Sequence, residues 1–208
     1  MKAKIFGIGF HKTGTSSLAR ALTLLGFNTI HGDPRKKPPY GDEGRTLIEM
    51  IDKGNYELPT IEKYDAFTDN PYFSIWKQLD SNYPGSKFIL TIRDPKKWIK
   101  SCLNFYAARR VRPMRVWMFG DHADPSVSEV AKTAWIEKYK EHNASIIKHF
   151  KDRSEDLLIL DLENGDSWET LCSFLNVSVP TQPFPKKNVT NWKRKLGKNL
   201  LRLGKNHA

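Results

Sequence analysis

The segment from Gly9 to Ser17 carries residue types that bind anions. It reads GFHKTGTSS, with one lysine, Lys12, and hydroxyl side chains at Thr13, Thr15, Ser16 and Ser17. A glycine-bearing loop that enters a helix presents free backbone N–H groups and the positive end of the helix dipole to an anion. The alternative is an ordinary strand-to-helix turn that uses glycine for its conformation. The lysine and the cluster of hydroxyls favour an anion-binding loop.

The spacing of the two glycines, Gly9 and Gly14, matches the frame of a nucleotide-binding P-loop. Thr15, however, stands where a P-loop has its lysine, and Lys12 precedes Gly14 instead. From there Lys12 would reach the bound group from a different side. A P-loop kinase or NTPase, with Mg²⁺ held by the strand that ends at Asp161, remains an alternative that lacks its required lysine.

A second pair of candidate anion ligands is Arg93 and Ser101. Arg93 follows the apolar run 87–92, which predicts a strand, and Pro95 predicts the start of a helix. Ser101 then lies about two turns into that helix. Arginine binds phosphate bidentately, and open α/β sheets bind ligands at the carboxyl ends of their strands. Capping the helix or pairing with a surface acid is the structural alternative for both residues.

Two residues, Asp69 and His11, are candidates for a general base. Asp69 ends a predicted strand at 64–68 and precedes Asn-Pro, so its alternative role is turn formation. His11 lies beside Lys12 and could serve as the base or could orient backbone. His31 ends the second predicted strand, and we expect it to be structural or to line an acceptor site.

Strands and helices alternate along the chain, which predicts a three-layer α/β domain with a central parallel sheet flanked by helices, in a P-loop-like arrangement. The first strand is buried, because only glycine and apolar residues follow Lys4 up to Phe10. The segments 31–60 and 107–126 match no motif and are expected to build an acceptor pocket from loops. Predicted strands cover 4–10, 27–30, 64–68, 87–92 and 157–160; predicted helices cover 15–25, part of 41–54, 72–83, 95–106, 127–150 and 167–175.

The net charge of +11 on 208 residues is unevenly distributed. Residues 186–208 contain eight lysines and arginines and no acid, so only +3 belongs to the rest of the chain. This distribution argues against a nucleic-acid-binding surface over the whole domain. We expect one domain over 1–185 and a basic segment over 186–208, which is part of that domain or a tail. The tail could contact an anionic surface through leucines at helical spacing, and a non-enzymatic protein that binds such surfaces is a further alternative.

The cysteine pattern and the absence of a long apolar run narrow the class further. Cys102 and Cys172 have neither the CxxC spacing of a metal site nor the number of a disulfide framework, so both are predicted to be core thiols and no metal site is expected. No run approaches the roughly 20 apolar residues of a membrane span, and no secretory signal pattern opens the chain. We expect a cytoplasmic protein.

The loop HKTGTSSL at 11–18 resembles the phosphosulfate-binding loop of sulfotransferases that use 3′-phosphoadenosine 5′-phosphosulfate (PAPS). The segment KFILTIRDP at 87–95, with Ser101 following, resembles the part of that family that holds the 3′-phosphate of the nucleotide. The end of the chain is also similar to small single-domain members, in the segments LLILD at 157–161, WETLCSFL at 168–175 and PFPKKN at 183–188.

The resemblance implies transfer of a sulfuryl group from PAPS to a hydroxyl or amine of a small-molecule or glycan acceptor, by in-line attack and without a metal. It implies that Lys12 stabilises the departing oxygen and that the loop residues hold the phosphosulfate. Arg93 and Ser101 would bind the 3′-phosphate, and Lys187 would fold over the nucleotide. Asp69 occupies the place where several relatives carry an acid facing the acceptor. Ser17 stands where many relatives have the tryptophan that stacks on adenine.

Overall fold

A five-stranded parallel sheet forms the centre of the computed structural model, which describes residues 3–32, 45–54, 56, 61–107 and 109–186. The strands are β1 (Ile5–Gly7), β2 (Thr29–His31), β3 (Ala66–Thr68), β4 (Lys87–Thr91) and β5 (Leu157–Leu160). Their order is β2-β3-β1-β4-β5, and each neighbouring pair is parallel. The carboxyl ends of all five strands therefore lie at one edge of the sheet, with β1 in the middle.

Helices cover both faces of this sheet. Phe6 and Phe88 belong to a core closed by the four helices that lie between residues 76 and 149. Their neighbours Ile5 and Ile89 belong to a second core under the helices at 15–24 and 168–175. The alternation along each strand thus separates two apolar faces, which confirms the three-layer α/β architecture. The helices are α1 (Thr15–Leu24), α2 (Arg45–Asp52), α3 (Trp76–Asn82), α4 (Pro95–Tyr106), α5 (Pro113–Phe119), α6 (Glu129–His149) and α7 (Trp168–Leu175).

The first strand is shorter than its apolar pattern predicts. The sheet ladder of β1 ends at Gly7, although Ile8 and Phe10 remain buried. The Ile8 N–H still donates to the Ile89 carbonyl at 2.9 Å, and the chain then leaves the sheet as a loop. Hydrophobicity reports burial rather than strand pairing, so the pattern could not distinguish a buried loop from a strand.

The segment 107–126, expected to be loop, contains α5 and a 3₁₀ turn at Gly120–His122. Its helix is only seven residues long, too short for a helical period to stand out, although Pro113 occupies its first turn in the manner of a helix start. Cys102 and Cys172 are buried free thiols in α4 and α7, as predicted. Within the described residues, no helix combines the length and the apolar character needed to cross a membrane.

Candidate active site

The glycine loop joins β1 to α1 at the centre of the sheet edge. Gly14 caps α1 with φ 108, a conformation that L side chains rarely adopt, and Lys12 has φ 71. A Cβ at Gly9 would lie 2.4 Å from the Thr91 carbonyl oxygen, so this position also requires glycine. The Ser17 and Leu18 N–H groups donate to the Gly14 carbonyl at 2.8 and 3.0 Å, so α1 begins directly at the loop and its positive dipole end lies there. The loop therefore has the backbone shape of an anion cradle.

The hydroxyl residues of the loop divide between fold and site. Thr13 is 4% exposed, and its Oγ1 donates to the Phe10 carbonyl at 2.5 Å and lies 2.6 Å from the Thr91 hydroxyl. Its side chain thus ties the loop to the end of β4, which leaves its backbone as the part available to a ligand. Thr15 and Ser17 are buried, and Ser16, which is less buried, places its Oγ 3.1 Å from His31 Nε2.

Lys12 extends across the site to the end of α4. Its Nζ lies 4.2 Å from the centre of the Phe105 ring, and the Arg109 guanidinium lies 4.2 Å from the same ring. Burial lowers the pKa of Lys12, and the charges of Arg93 and Arg109 lower it further, against the opposing effects of Cys102 and Asp69. Phe105 itself is 38% exposed. An aromatic ring between two cations thus lies at the mouth of the site.

Arg93 is held from three directions. The Tyr139 hydroxyl accepts from the Arg93 N–H at 2.9 Å and donates to the Arg93 carbonyl at 2.8 Å. Arg93 Nη1 donates to the Lys12 carbonyl at 3.3 Å, which joins the two sequence motifs directly. Its Nε is buried without a hydrogen-bond partner. Ser101 lies half-buried farther along α4.

Glu163, which the sequence analysis does not single out, occupies the other side of Arg93. Its Oε1 lies 2.5 Å from Arg93 Nη2, and its Oε2 lies 3.5 Å from Lys97 Nζ. The loop after β5 positions it, because the Asp161 carboxylate accepts the Glu163 N–H at 3.1 Å. The position of Glu163 soon after a strand of a parallel sheet could have marked it as a candidate site residue. Its pairing with Arg93, however, depends on β4 and β5 being neighbours in the sheet.

Asp69 and His31 lie together at the ends of β3 and β2. Asp69 Oδ2 is 3.5 Å from His31 Nε2, and His31 Nδ1 is 2.8 Å from the Thr68 hydroxyl. Asp69 has φ 71, and its Oδ1 accepts the Asn70 N–H at 2.9 Å. The β2–β3 register sets His31 opposite Thr68, so the imidazole lies beside the loop and the carboxylate. His31 is therefore a candidate for proton transfer as well as for lining the acceptor site.

His11 is 7% exposed within a box of aromatic rings that includes Phe10, Tyr106 and Trp135. Burial lowers its pKa to about 4, with Lys12 adding to the effect and Asp69 opposing it. The ring is neutral at pH 7, and an imidazole of such low pKa is a weak base. The geometry favours the pair of Asp69 and His31 for proton removal.

Two further predictions concern the basic segment and a metal site. Lys187 lies outside the described residues, as does the rest of the basic segment after Lys186. Among the residues that the structure describes, no three His, Cys, Asp or Glu side chains gather as metal ligands.

Comparison with known proteins identifies the family. Residues 4–192 match the sulfotransferase domain family. The chain is 27% identical over 214 residues to Ava biosynthesis cluster protein M of Aspergillus versicolor, a match that covers 88% of this chain and 79% of that protein. The fold of this chain is similar to that of a sulfotransferase from Alicyclobacillus acidocaldarius, as seen in its crystal structure. The two have a TM-score of 0.53 and 15% sequence identity, and the match covers 97% of this chain and 92% of that one. Because the family match spans nearly the whole chain, including both candidate anion-binding segments, this protein is a member of the sulfotransferase family.

Proposed function

We propose that this sulfotransferase takes its sulfuryl group from PAPS and transfers it by in-line displacement to a hydroxyl or amine of a small-molecule or glycan acceptor. Family membership supports sulfotransferase activity. One observation carries the finer proposal: Arg93 Nη1 donates to the Lys12 carbonyl at 3.3 Å, so the two candidate anion-binding segments are in direct contact. A donor with a 5′-phosphosulfate and a 3′-phosphate needs two such segments at once.

The described residues fit this donor. The backbone around Gly14 and the start of α1 would bind the 5′-phosphosulfate, with Lys12 beside it. Arg93, whose buried Nε lacks a partner, would bind the 3′-phosphate together with Ser101. Lys187 would add a further contact from the basic segment.

In the transfer step, one bond to sulfur forms while another breaks, and negative charge develops on the departing phosphate oxygen. PAPS supplies the sulfuryl group: the acceptor oxygen or nitrogen bonds to sulfur while the bond from sulfur to the phosphate oxygen breaks. The products are a sulfated acceptor and adenosine 3′,5′-bisphosphate. Lys12 stabilises the negative charge that develops on the phosphate oxygen, as donors aimed at a developing charge do.

Proton removal falls to the Asp69 carboxylate. It lies at the carboxyl end of β3, next to the central strand that carries the loop, and it is within electrostatic range of Lys12. The His31 ring, 3.5 Å from its Oδ2, orients the carboxylate and can take part in passing the proton to solvent. The acceptor's proton therefore moves to Asp69 as the new bond to sulfur forms.

Calorimetry with adenosine 3′,5′-bisphosphate, set against ATP with Mg²⁺, tests the proposal. We expect the bisphosphate to bind the protein without a metal. Arg93→Ala should weaken the binding of the bisphosphate far more than the binding of adenosine 5′-monophosphate, which lacks the 3′-phosphate. Arg20→Ala, which removes an exposed arginine from α1, is the matched control. Preference for ATP with Mg²⁺ would point to the kinase alternative, and equal losses for both nucleotides would give Arg93 a purely structural role.

A further inference from the structure

A cluster of buried polar side chains lies beside the proposed acceptor end of the site. It consists of His11, Tyr106 and Arg115, which come from the glycine loop, α4 and α5. The His11 and Tyr106 rings meet edge to face with centroids 5.5 Å apart, and the Arg115 guanidinium lies 4.3 Å above the Tyr106 ring. None of the three has a role in donor binding.

Arg115 is a charged side chain that is almost fully buried, so it needs partners for its guanidinium group. It is 6% exposed, and its Nη2 donates to the Arg110 carbonyl at 2.6 Å and to the Arg109 carbonyl at 3.4 Å. Its Nη1 is buried with no hydrogen-bond partner. No carboxylate within the described ranges forms an ion pair with it. Because buried charges are normally paired, this guanidinium is a candidate to bind an anion. Among the described residues, Asp124 lies within its electrostatic range but forms no ion pair with it.

His11 adds a second unsatisfied group to the same place. Both of its ring nitrogens are buried without a hydrogen-bond partner, although the ring is 7% exposed. The His11 ring and the Arg115 guanidinium both contact the Tyr106 ring, so the two groups are neighbours, and the charge of Arg115 contributes to lowering the His11 pKa. Two side chains from different elements, each more than nine-tenths buried, thus carry polar atoms that have no hydrogen-bond partner.

The cluster adjoins the residues assigned to sulfuryl transfer. The Tyr106 and Phe105 rings meet with centroids 4.9 Å apart, and Lys12 Nζ lies 4.2 Å from the centre of the Phe105 ring. Lys12 also follows His11 directly in the loop. A molecule bound by Arg115 would therefore lie next to the proposed transfer site.

We propose that His11, Tyr106 and Arg115 form an acceptor subsite that binds a carboxylate, so that the preferred acceptors are hydroxylated or aminated carboxylic acids. This proposal rests on the proposed sulfotransferase function. The free Nη1 of Arg115 and one N–H of the neutral imidazole supply few donors, which suit a monoanion better than a phosphate dianion. The Tyr106 ring packs against the apolar part of the acceptor next to its carboxylate.

Matched pairs of acid and amide test the subsite directly. A set of hydroxybenzoates, hydroxy fatty acids and uronic acids, each paired with its own primary amide, is titrated by ligand-observed NMR. The protein is used alone and with saturating adenosine 3′,5′-bisphosphate. We expect at least one acid to bind about tenfold or more tightly than its amide, the usual order for a charge-assisted contact in a buried site. Sulfate transfer from labelled PAPS should show the same preference.

Arg115→Met should remove the preference for the acid while the binding of the bisphosphate persists. Arg20→Met, which removes an exposed arginine, is the control, and Arg115→Lys keeps the charge should the methionine variant fail to fold. The proposal is overturned if no acid binds, if amides bind as tightly as acids, or if the preference survives in a folded Arg115→Met protein. Failure of the proposed function can be told apart from failure of the subsite. If the proposed function is wrong, the bisphosphate does not bind. The subsite is tested separately, by comparing acid and amide on the protein without nucleotide.

Discussion

Replacing Glu163 by glutamine should tighten the binding of adenosine 3′,5′-bisphosphate. The Glu163 carboxylate lies 2.5 Å from Arg93 Nη2 and 3.5 Å from Lys97 Nζ, so it competes for the cations that would face the 3′-phosphate. Binding of the phosphate must displace the carboxylate or tolerate its negative charge. Glutamine has the same shape and removes the charge.

Two contributions set the size of the effect. The ion pair is partly exposed, with side-chain exposures of 25% for Arg93 and 34% for Glu163, so giving it up costs about 0.2–1 kcal/mol. If the carboxylate stays in place instead, its repulsion with a nearby phosphate in a water-like dielectric costs about 1 kcal/mol. Because these costs belong to alternative outcomes, they do not add: removing the charge regains at most about 1 kcal/mol, which corresponds to a dissociation constant up to about fivefold lower.

Calorimetry on the wild type and on Glu163→Gln measures this change at low ionic strength, where screening is weakest. Adenosine 5′-monophosphate serves as the ligand control, because its binding should change little. Glu129→Gln serves as the protein control, since Glu129 is 86% exposed and pairs with Lys132 at 3.0 Å.

An unchanged or weaker affinity in Glu163→Gln would refute this reasoning. Weaker binding would mean that Glu163 orients Arg93 for the phosphate rather than competing with it. A gain of the same size for the monophosphate would mean that the carboxylate acts on the whole site through its charge and not on the 3′-phosphate.

The other predictions concern turnover and stability. Lys12→Ala should lower turnover by about 10²–10³ while the fold persists, whereas Lys140→Ala, an exposed lysine on α6, should leave it unchanged. Asp69→Asn should lower turnover by about 10²–10⁴ with nucleotide affinity retained. His31→Gln should cost less, and the reverse order of the two losses would make His31 the base. Burial lowers the pKa of His142 to about 4. Between pH 6.5 and 4, its imidazole is therefore protonated in the unfolded chain but neutral in the folded protein. The contribution of His142 to stability should therefore fall as the pH drops from 6.5 toward 4, by about 2 kcal/mol at pH 5. His142→Gln, which can still donate to the Ile8 carbonyl, should reduce this loss in urea unfolding compared at pH 7 and 5. His11, whose pKa burial also lowers to about 4, adds a loss that His142→Gln does not remove.

The alternation of strands and helices was predictable, because apolar runs and helical periods are local properties of the chain. The α4 helix begins at Pro95 and ends at Tyr106, as the proline and the apolar spacing predict. The α5 helix was missed because seven residues hold too few turns to show a period. Its absence from the predicted elements also concealed Arg115, whose burial no local pattern indicates.

The sequence by itself identified the candidate anion ligands, because the residue types and spacing in the glycine loop and around Arg93 are those that bind anions. Only the tertiary structure decided which of these side chains work together. Thr13, predicted as a ligand, turns inward to Thr91, while His31 comes to lie beside Asp69 because β2 pairs with β3. The pairing of Glu163 with Arg93 likewise follows from β5 lying next to β4. Such partners are set by the order of strands across the sheet, which depends on how the whole core packs and not on any one segment.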